Sequence, residues 1–259
     1  MNYPPFLSLA AAFLGLTLST TAQTTIFSDD FSGDGSAVLN GSAPDVRPGS
    51  QTWVANNLTN DGKVTASSGQ SSWLAYTFQN DVVYTLTATL DMTYSSGSIT
   101  PGGIAFTQDN PLGNGAVNLN GSNDYGVLQV RRGGSWAFYE GPNNTTATAS
   151  SANNALFTSN VDNYEIKLVL TTSSTANWTL AGFFNGSQVD LNPGDTGSLI
   201  HSFISTPSFT GFGINYGSSA IDFENFTLTA SSVPEPSSYS LLMGGSIAGL
   251  ALLRRRRVA

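Results

Sequence analysis

The chain has 259 residues, 10% charged and 40% hydrophobic, with no cysteine, one histidine and a formal net charge of −8. Lack of cysteine excludes disulfides, zinc–thiolate sites and cysteine nucleophiles, and a single histidine is a poor start for a transition-metal centre. Nine basic residues (four of them Arg254–Arg257) face seventeen acidic ones (one of them Glu235), so residues 23–232 carry five against sixteen, a balance of −11 that argues against nucleic acid or an anionic membrane surface as partner.

Residues 5–18 are mostly apolar, and Thr20, Thr21 and Ala22 place small residues before a cut after Ala22. This is the pattern of a secretory signal peptide over 1–22, although a basic n-region is missing. Residues 23–232 are enough for one large domain. Ser, Thr, Asn and Gly stand where charged residues would be in an ordinary globular chain, which averages about 25% charged. The scarcity of Lys, Glu and Arg argues against long solvent-facing helices.

Strand periodicity is clearest over Tyr84–Tyr94. Tyr84, Leu86, Ala88, Leu90, Met92 and Tyr94 alternate with Thr85, Thr87, Thr89, Asp91 and Thr93, which predicts a half-buried strand. Tyr164–Thr171 repeats the pattern with Tyr164, Ile166, Leu168 and Leu170 inward. Further strands are predicted over Ser72–Phe78, Gly103–Gln108, Tyr125–Arg131, Ser135–Tyr139, Trp178–Phe184, Phe209–Tyr216 and Ile221–Thr229. Arg131-Arg132-Gly133-Gly134 and Asn185-Gly186-Ser187 have hairpin chemistry. Many closely spaced strands without helical stretches predict an all-β, antiparallel β-sandwich. Its longer loops, over 95–102, 110–124 and 141–154, are small and polar.

The opening Phe27-Ser28-Asp29-Asp30-Phe31-Ser32-Gly33, the stretch Leu39–Asp45, Trp53, and the closing Ile221-Asp222-Phe223-Glu224-Asn225-Phe226-Thr227-Leu228 resemble a concanavalin A-like or laminin-G-like jelly roll. That resemblance implies that the first and last strands pair. It bears on fold more than on function, since many unrelated activities share this sandwich, and it implies a structural calcium clamped between those strands, with Asp30 and Asp222 as candidate ligands. Calcium is the one cation the composition permits, because it takes carboxylate and carbonyl oxygens. No other cofactor has a motif here.

Glycoside hydrolysis needs two carboxylates about one sugar bond. The Glu-x-Asp-x-x-Glu strand of the catalytic glucanases in this superfamily is missing. Residues 23–232 hold only Glu140, Glu165 and Glu224, and Asp222 with Glu224 is the one strand-borne acid pair. His201, between apolar neighbours and without a nucleophile motif, reads as structural. The reading is therefore a non-catalytic module that binds polysaccharide or extracellular matrix; a glycan-active hydrolase and a purely structural or adhesive matrix protein are the alternatives. Aromatic rings stack on sugar faces, and of Trp53, Trp73, Trp136 and Trp178 the sequence favours Trp136, with Tyr139 nearby, as the ligand contact.

The last part, residues 233–259, has three pieces: Val233-Pro234-Glu235-Pro236, an uncharged run over 237–253, and Arg254, Arg255, Arg256 and Arg257. Proline resists both helix and sheet, so the first piece stays extended. The run makes a helix of roughly 25 Å, just short of a hydrocarbon core of about 30 Å, and the arginines put its C-terminal end inside. This order of parts resembles the PEP-CTERM sorting tail of bacterial exported proteins. The resemblance implies an exosortase-type membrane peptidase as partner, cleavage near Pro234–Pro236, passage through the inner membrane, and delivery to the cell surface or extracellular matrix.

Overall fold

A computed structural model describes residues 22–32, 38–56, 58–65, 68–97, 100–108, 124–142, 146–218 and 221–233. Most of the expected signal peptide and the whole expected membrane span lie outside these residues. Among the described residues no helix is long and apolar enough to cross a membrane.

Among the described residues sixteen strands follow one another: β1 (Thr24–Asp29), β2 (Val54–Ala55), β3 (Thr59–Asn60), β4 (Val64–Thr65), β5 (Ser68–Ala75), β6 (Val82–Met92), β7 (Pro101–Thr107) and β8 (Tyr125–Arg131). The second half adds β9 (Trp136–Glu140), β10 (Ala149–Ser150), β11 (Val161–Thr171), β12 (Thr179–Phe184), β13 (Ser187–Val189), β14 (His201–Ser202), β15 (Gly211–Ser218) and β16 (Ile221–Ser232). They form two antiparallel sheets. One runs β13-β12-β11-β6-β16-β4-β3, with β1 on β16 and β14 on β12; the other runs β10-β9-β8-β7-β15-β5-β2.

The period-two residues make the core between the sheets. On β6, Tyr84, Leu86, Ala88, Leu90 and Met92 are buried in strict alternation, and on β11 so are Tyr164, Ile166, Leu168 and Leu170. Leu74, Ile104, Phe106, Leu128, Val130, Phe138, Phe212 and Ile214 meet them from the second sheet. Each buried Leu, Ile or Phe removes enough apolar surface from water to contribute about 1.5–3 kcal/mol, so this core needs no disulfide.

The first strand pairs with the last: Thr24 opposes Ala230 and Asp29 opposes Phe226. β16 also pairs along its length with β6, from Ile221 opposite Met92 to Ser232 opposite Val82, with a bulge between Phe223 and Asn225.

Of the strand ends that differ from expectation, two show their cause in side-chain contacts. The strand expected to reach Tyr94 ends at Met92, because the Tyr94 N–H donates to Asn160 Oδ1 at 2.8 Å and its hydroxyl to Asn154 Oδ1 at 2.9 Å, both off the ladder. The strand expected over Ser72–Phe78 ends at Ala75. Tyr76 and Phe78 instead pack edge-on against Tyr84, with centroids 5.7 and 5.0 Å away, in the connection to β6.

Candidate functional site

Acidic residues gather at three places. At the end of β1, ligand oxygens of Asp29, Asp30 and Asp45 lie within 4.8 Å of one another. All three already have protein donors. Asp29, 6% exposed, accepts the Trp53 indole N–H at 2.6 Å and the Phe31 N–H at 2.8 Å. Asp45 accepts the Asp30 N–H at 3.0 Å, and the Ser32 N–H and hydroxyl hold the Asp30 carboxyl below its ordinary pKa. Asp222 does not join this group. It sits at the start of β16 in an ion pair with Lys63, whose ammonium it raises above the ordinary lysine value. The structure thus places Asp30 with Asp29 and Asp45, not with Asp222.

The second place is the outer side of the same sheet, where Asp222 opposes Asp91 across β16 and β6. Glu224, at the bulge, has its carboxyl pushed above the usual range, first by its hydrogen bond to Asp91, then by burial and the Asp91 charge. Asp91 Oδ1 also accepts the Asn163 N–H at 2.8 Å. Carboxyls in direct contact leave no room for a glycosidic oxygen, since the two groups of a glycosidase stand about 5–9.5 Å apart.

The third place is a cavity of about 170 Å³ between Asp124, Tyr125 and Glu140–Pro142 on one side and Phe203, Ile204, Ser205 and Pro207 on the other. β9 ends at Glu140 and β8 begins at Tyr125, so antiparallel pairing brings both to one rim. β14, on the edge of β12, brings His201 to the same corner: its Nε2 lies 3.1 Å from Glu140 Oε1, within ion-pair range but off the N–H line of a hydrogen bond. The imidazole is buried against the rings of Phe138 and Phe203, 5.2 and 4.9 Å away. Asp124 Oδ2 takes the Ser208 N–H at 2.7 Å. Two carboxylates beside Tyr125, Pro142, Phe203 and a 94%-exposed Ile204 give an acceptor-rich, apolar-walled pocket. Sequence reading treated Glu140 and His201 separately; only the pairing of β14 with β12 joins them.

Trp136 and Tyr139 stand on opposite faces of β9. Trp136, 7% exposed, faces the core 6.4 Å from the Phe184 ring, so it does not offer its face to solvent. Tyr139 lies on the face turned away from the main core, with Tyr125, Val127 and Ala137, and its hydroxyl accepts from Arg131 at 2.9 Å. One ligand cannot touch both. Trp53 and Trp178 are buried as well. Trp73 is only partly buried: its indole lies across Gly211, where a Cβ would meet Nε1 at 2.1 Å, and that N–H has no hydrogen-bond partner.

At the far end of the chain, β16 runs to Ser232, and Val233 is the last described residue. Residues 232–257 match the PEP-CTERM protein-sorting motif. The chain therefore carries the tail of an exported, sorted protein, and Val233–Pro236 with Arg254–Arg257 fall inside the matched span. No curated protein matches the chain. Solved structures similar to it include the potassium-bound carbohydrate recognition domain of Emp46p (10% identity, 69% of this chain and 88% of that one, TM-score 0.49). An endo-1,3-beta-glucanase from Streptomyces sioyaensis shares 13% identity over 81% of this chain and 97% of its own, with a TM-score of 0.49. A lectin from Bauhinia forficata, in complex with GalNAc, shares 9% over 71% and 93%, with a TM-score of 0.47. These are lectin and glucanase jelly rolls of the concanavalin A-like kind, and at such scores they are a likeness in outline that says nothing of what this chain binds.

Proposed function

We propose that the chain is exported by its signal peptide, held at the inner membrane by the C-terminal helix, and cut near Val233–Pro236 by an exosortase-type peptidase. The sandwich then remains at the cell surface or in the extracellular matrix as a carbohydrate-binding module without catalytic chemistry of its own. The observation that carries this reading is the sorting motif, which begins on the last strand of the sandwich. The Asp124–Glu140 pocket supports the binding half, because its carboxylates can accept sugar hydroxyls while Ile204 and Pro142 cover the apolar face of a ring. The Asp91–Glu224 contact speaks against that one pair as the two carboxylates of a hydrolase.

Mass spectrometry of the protein recovered from cell surface and medium tests the sorting. A mature C-terminus at 233–236 is expected; an intact tail ending at Ala259 in the membrane fraction reduces the tail to a plain anchor. Retention on immobilised polysaccharides tests the binding, with Glu140→Gln expected to weaken it about tenfold, a loss of about 1.4 kcal/mol. Release of reducing ends would restore the hydrolase, and neither retention nor release would leave a structural matrix protein. The Asp29–Asp30–Asp45 corner is the place to seek a calcium ion: a melting temperature lowered several degrees by EDTA in the parent but not in Asp30→Asn assigns one there, and an unchanged parent curve leaves a hydrogen-bonded turn.

A further inference from the structure

The sorting motif and the fold overlap. Matching begins at Ser232, which is still paired with Val82 of β6, and the Val233 N–H donates to the Asp81 carbonyl at 3.2 Å. The next residue is Pro234, so the sandwich reaches the Pro-Glu-Pro element with no spacer. Asp81, the acceptor of this last bond, has a left-handed backbone with φ 60. Its side chain fixes it there: Oδ1 accepts the Ser174 N–H at 3.1 Å and Oδ2 the Ser174 hydroxyl at 2.7 Å. Behind it, the fully buried Thr172 ties the same corner together, its hydroxyl donating to Gln79 O at 2.7 Å and accepting the Val82 N–H at 3.0 Å.

A peptidase takes its substrate as an extended segment, pairing with backbone groups on both sides of the scissile bond. Near Val233–Pro236 the upstream residues Ser231, Ser232 and Val233 lie in register against the β6 edge, and the Val233 N–H is already taken by the Asp81 carbonyl. We propose that the Asp81 corner is a latch on the sorting cleavage: Asp81 holds Val233 on the rim of the folded domain, and the peptidase acts on molecules in which the end of β16 has peeled from β6. This inference rests on the proposed exosortase-type processing. Asp81 is here a positioning residue that touches no reacting atom. Strand ends open at little free-energy cost, so the latch slows processing without preventing it.

Pulse-chase of the full-length precursor, co-expressed with the peptidase, reads the processing rate. An eight-residue Gly/Ser spacer between Val233 and Pro234 is expected to speed cleavage several-fold. Asp81→Ala, which loses the Ser174 bonds and disfavours the left-handed backbone, is expected to speed it two- to fivefold at a temperature where the purified variant sandwich, its melting temperature a few degrees lower, is still fully folded. Equal or slower cleavage of the spacer variant overturns the latch, as does an Asp81→Ala rate that rises only along with global unfolding. A precursor that is never shortened, with or without spacer, removes the exosortase reading itself and the latch with it.

Discussion

Trp53 and Asp29 show how one residue pair closes a sandwich that has no disulfide. The Trp53 ring packs 5.2 Å from Phe226 on the last strand, while its N–H satisfies a buried carboxylate on the first. Replacing Trp53 with phenylalanine keeps most of the apolar area and leaves Asp29 short of a charge-assisted hydrogen bond. A loss of about 2–3 kcal/mol is expected, read as a lower urea midpoint with unchanged m-value. Glu224 makes a different prediction. Its carboxyl titrates higher in the folded chain than in the unfolded one because of its hydrogen bond to Asp91, with burial and the Asp91 charge adding to it. Folding therefore binds extra proton between the ordinary glutamate value and the folded midpoint, which favours the fold on the acid side of that window. The contribution is lost as pH rises through the folded midpoint. Carbon-detected NMR titration should find the raised midpoint, and Asp91→Asn should bring it down; an ordinary midpoint in the parent would count against the Asp91 contact.

The strands were legible because alternation on a sheet is a local signal. β8 keeps its expected bounds, and β6 and β11 bury the expected Tyr, Leu, Ile and Ala. The two-residue strands β2, β3, β4, β10 and β14 were not legible: two residues carry no period, and tertiary pairing alone makes them strands. The hairpins were written in their turn residues. Asn185 and Gly186, at φ 45 and 75, give the doubly left-handed turn that suits strand twist, closing Phe184 on Ser187. Gly134 also has a left-handed φ, of 71. A Cβ on Gly186 meets nothing within 4 Å, whereas one on Gly134 would strike the Phe157 carbonyl oxygen at 2.1 Å. Gly186→Ala should therefore cost about 1 kcal/mol, the backbone strain alone, and Gly134→Ala clearly more. Equal costs in chemical denaturation would count against the Phe157 contact.

Across the whole molecule, what escaped sequence reading is what antiparallel pairing assembles from afar. Glu140, His201 and Asp124 belong to three separate stretches, each bland alone, and become neighbours only because β14 caps the edge of β12 while β8 and β9 pair rim to rim. The same topology misled the reading of Trp136. Its position after a hairpin pointed to an exposed ring, but parity along β9 turns it inward with Phe138. The sorting tail was the most legible part, because its order of proline, apolar run and arginines needs no tertiary structure to be recognised.

Thr24 and Ala230 sit side by side on adjacent antiparallel strands. Their neighbourhood makes the sandwich topologically a ring with one gap. A loop of about five residues, the length of an ordinary hairpin connection, should bridge the gap from Ser232 back to Thr24, and new ends could be opened between Asn185 and Gly186. Such a rearranged chain should keep the β-type circular dichroism and a cooperative melt, which would mean that strand neighbours rather than strand sequence order specify this fold. A broad, non-cooperative transition would mean instead that the molecule needs β1 and β16 to be held by their own continuing chain.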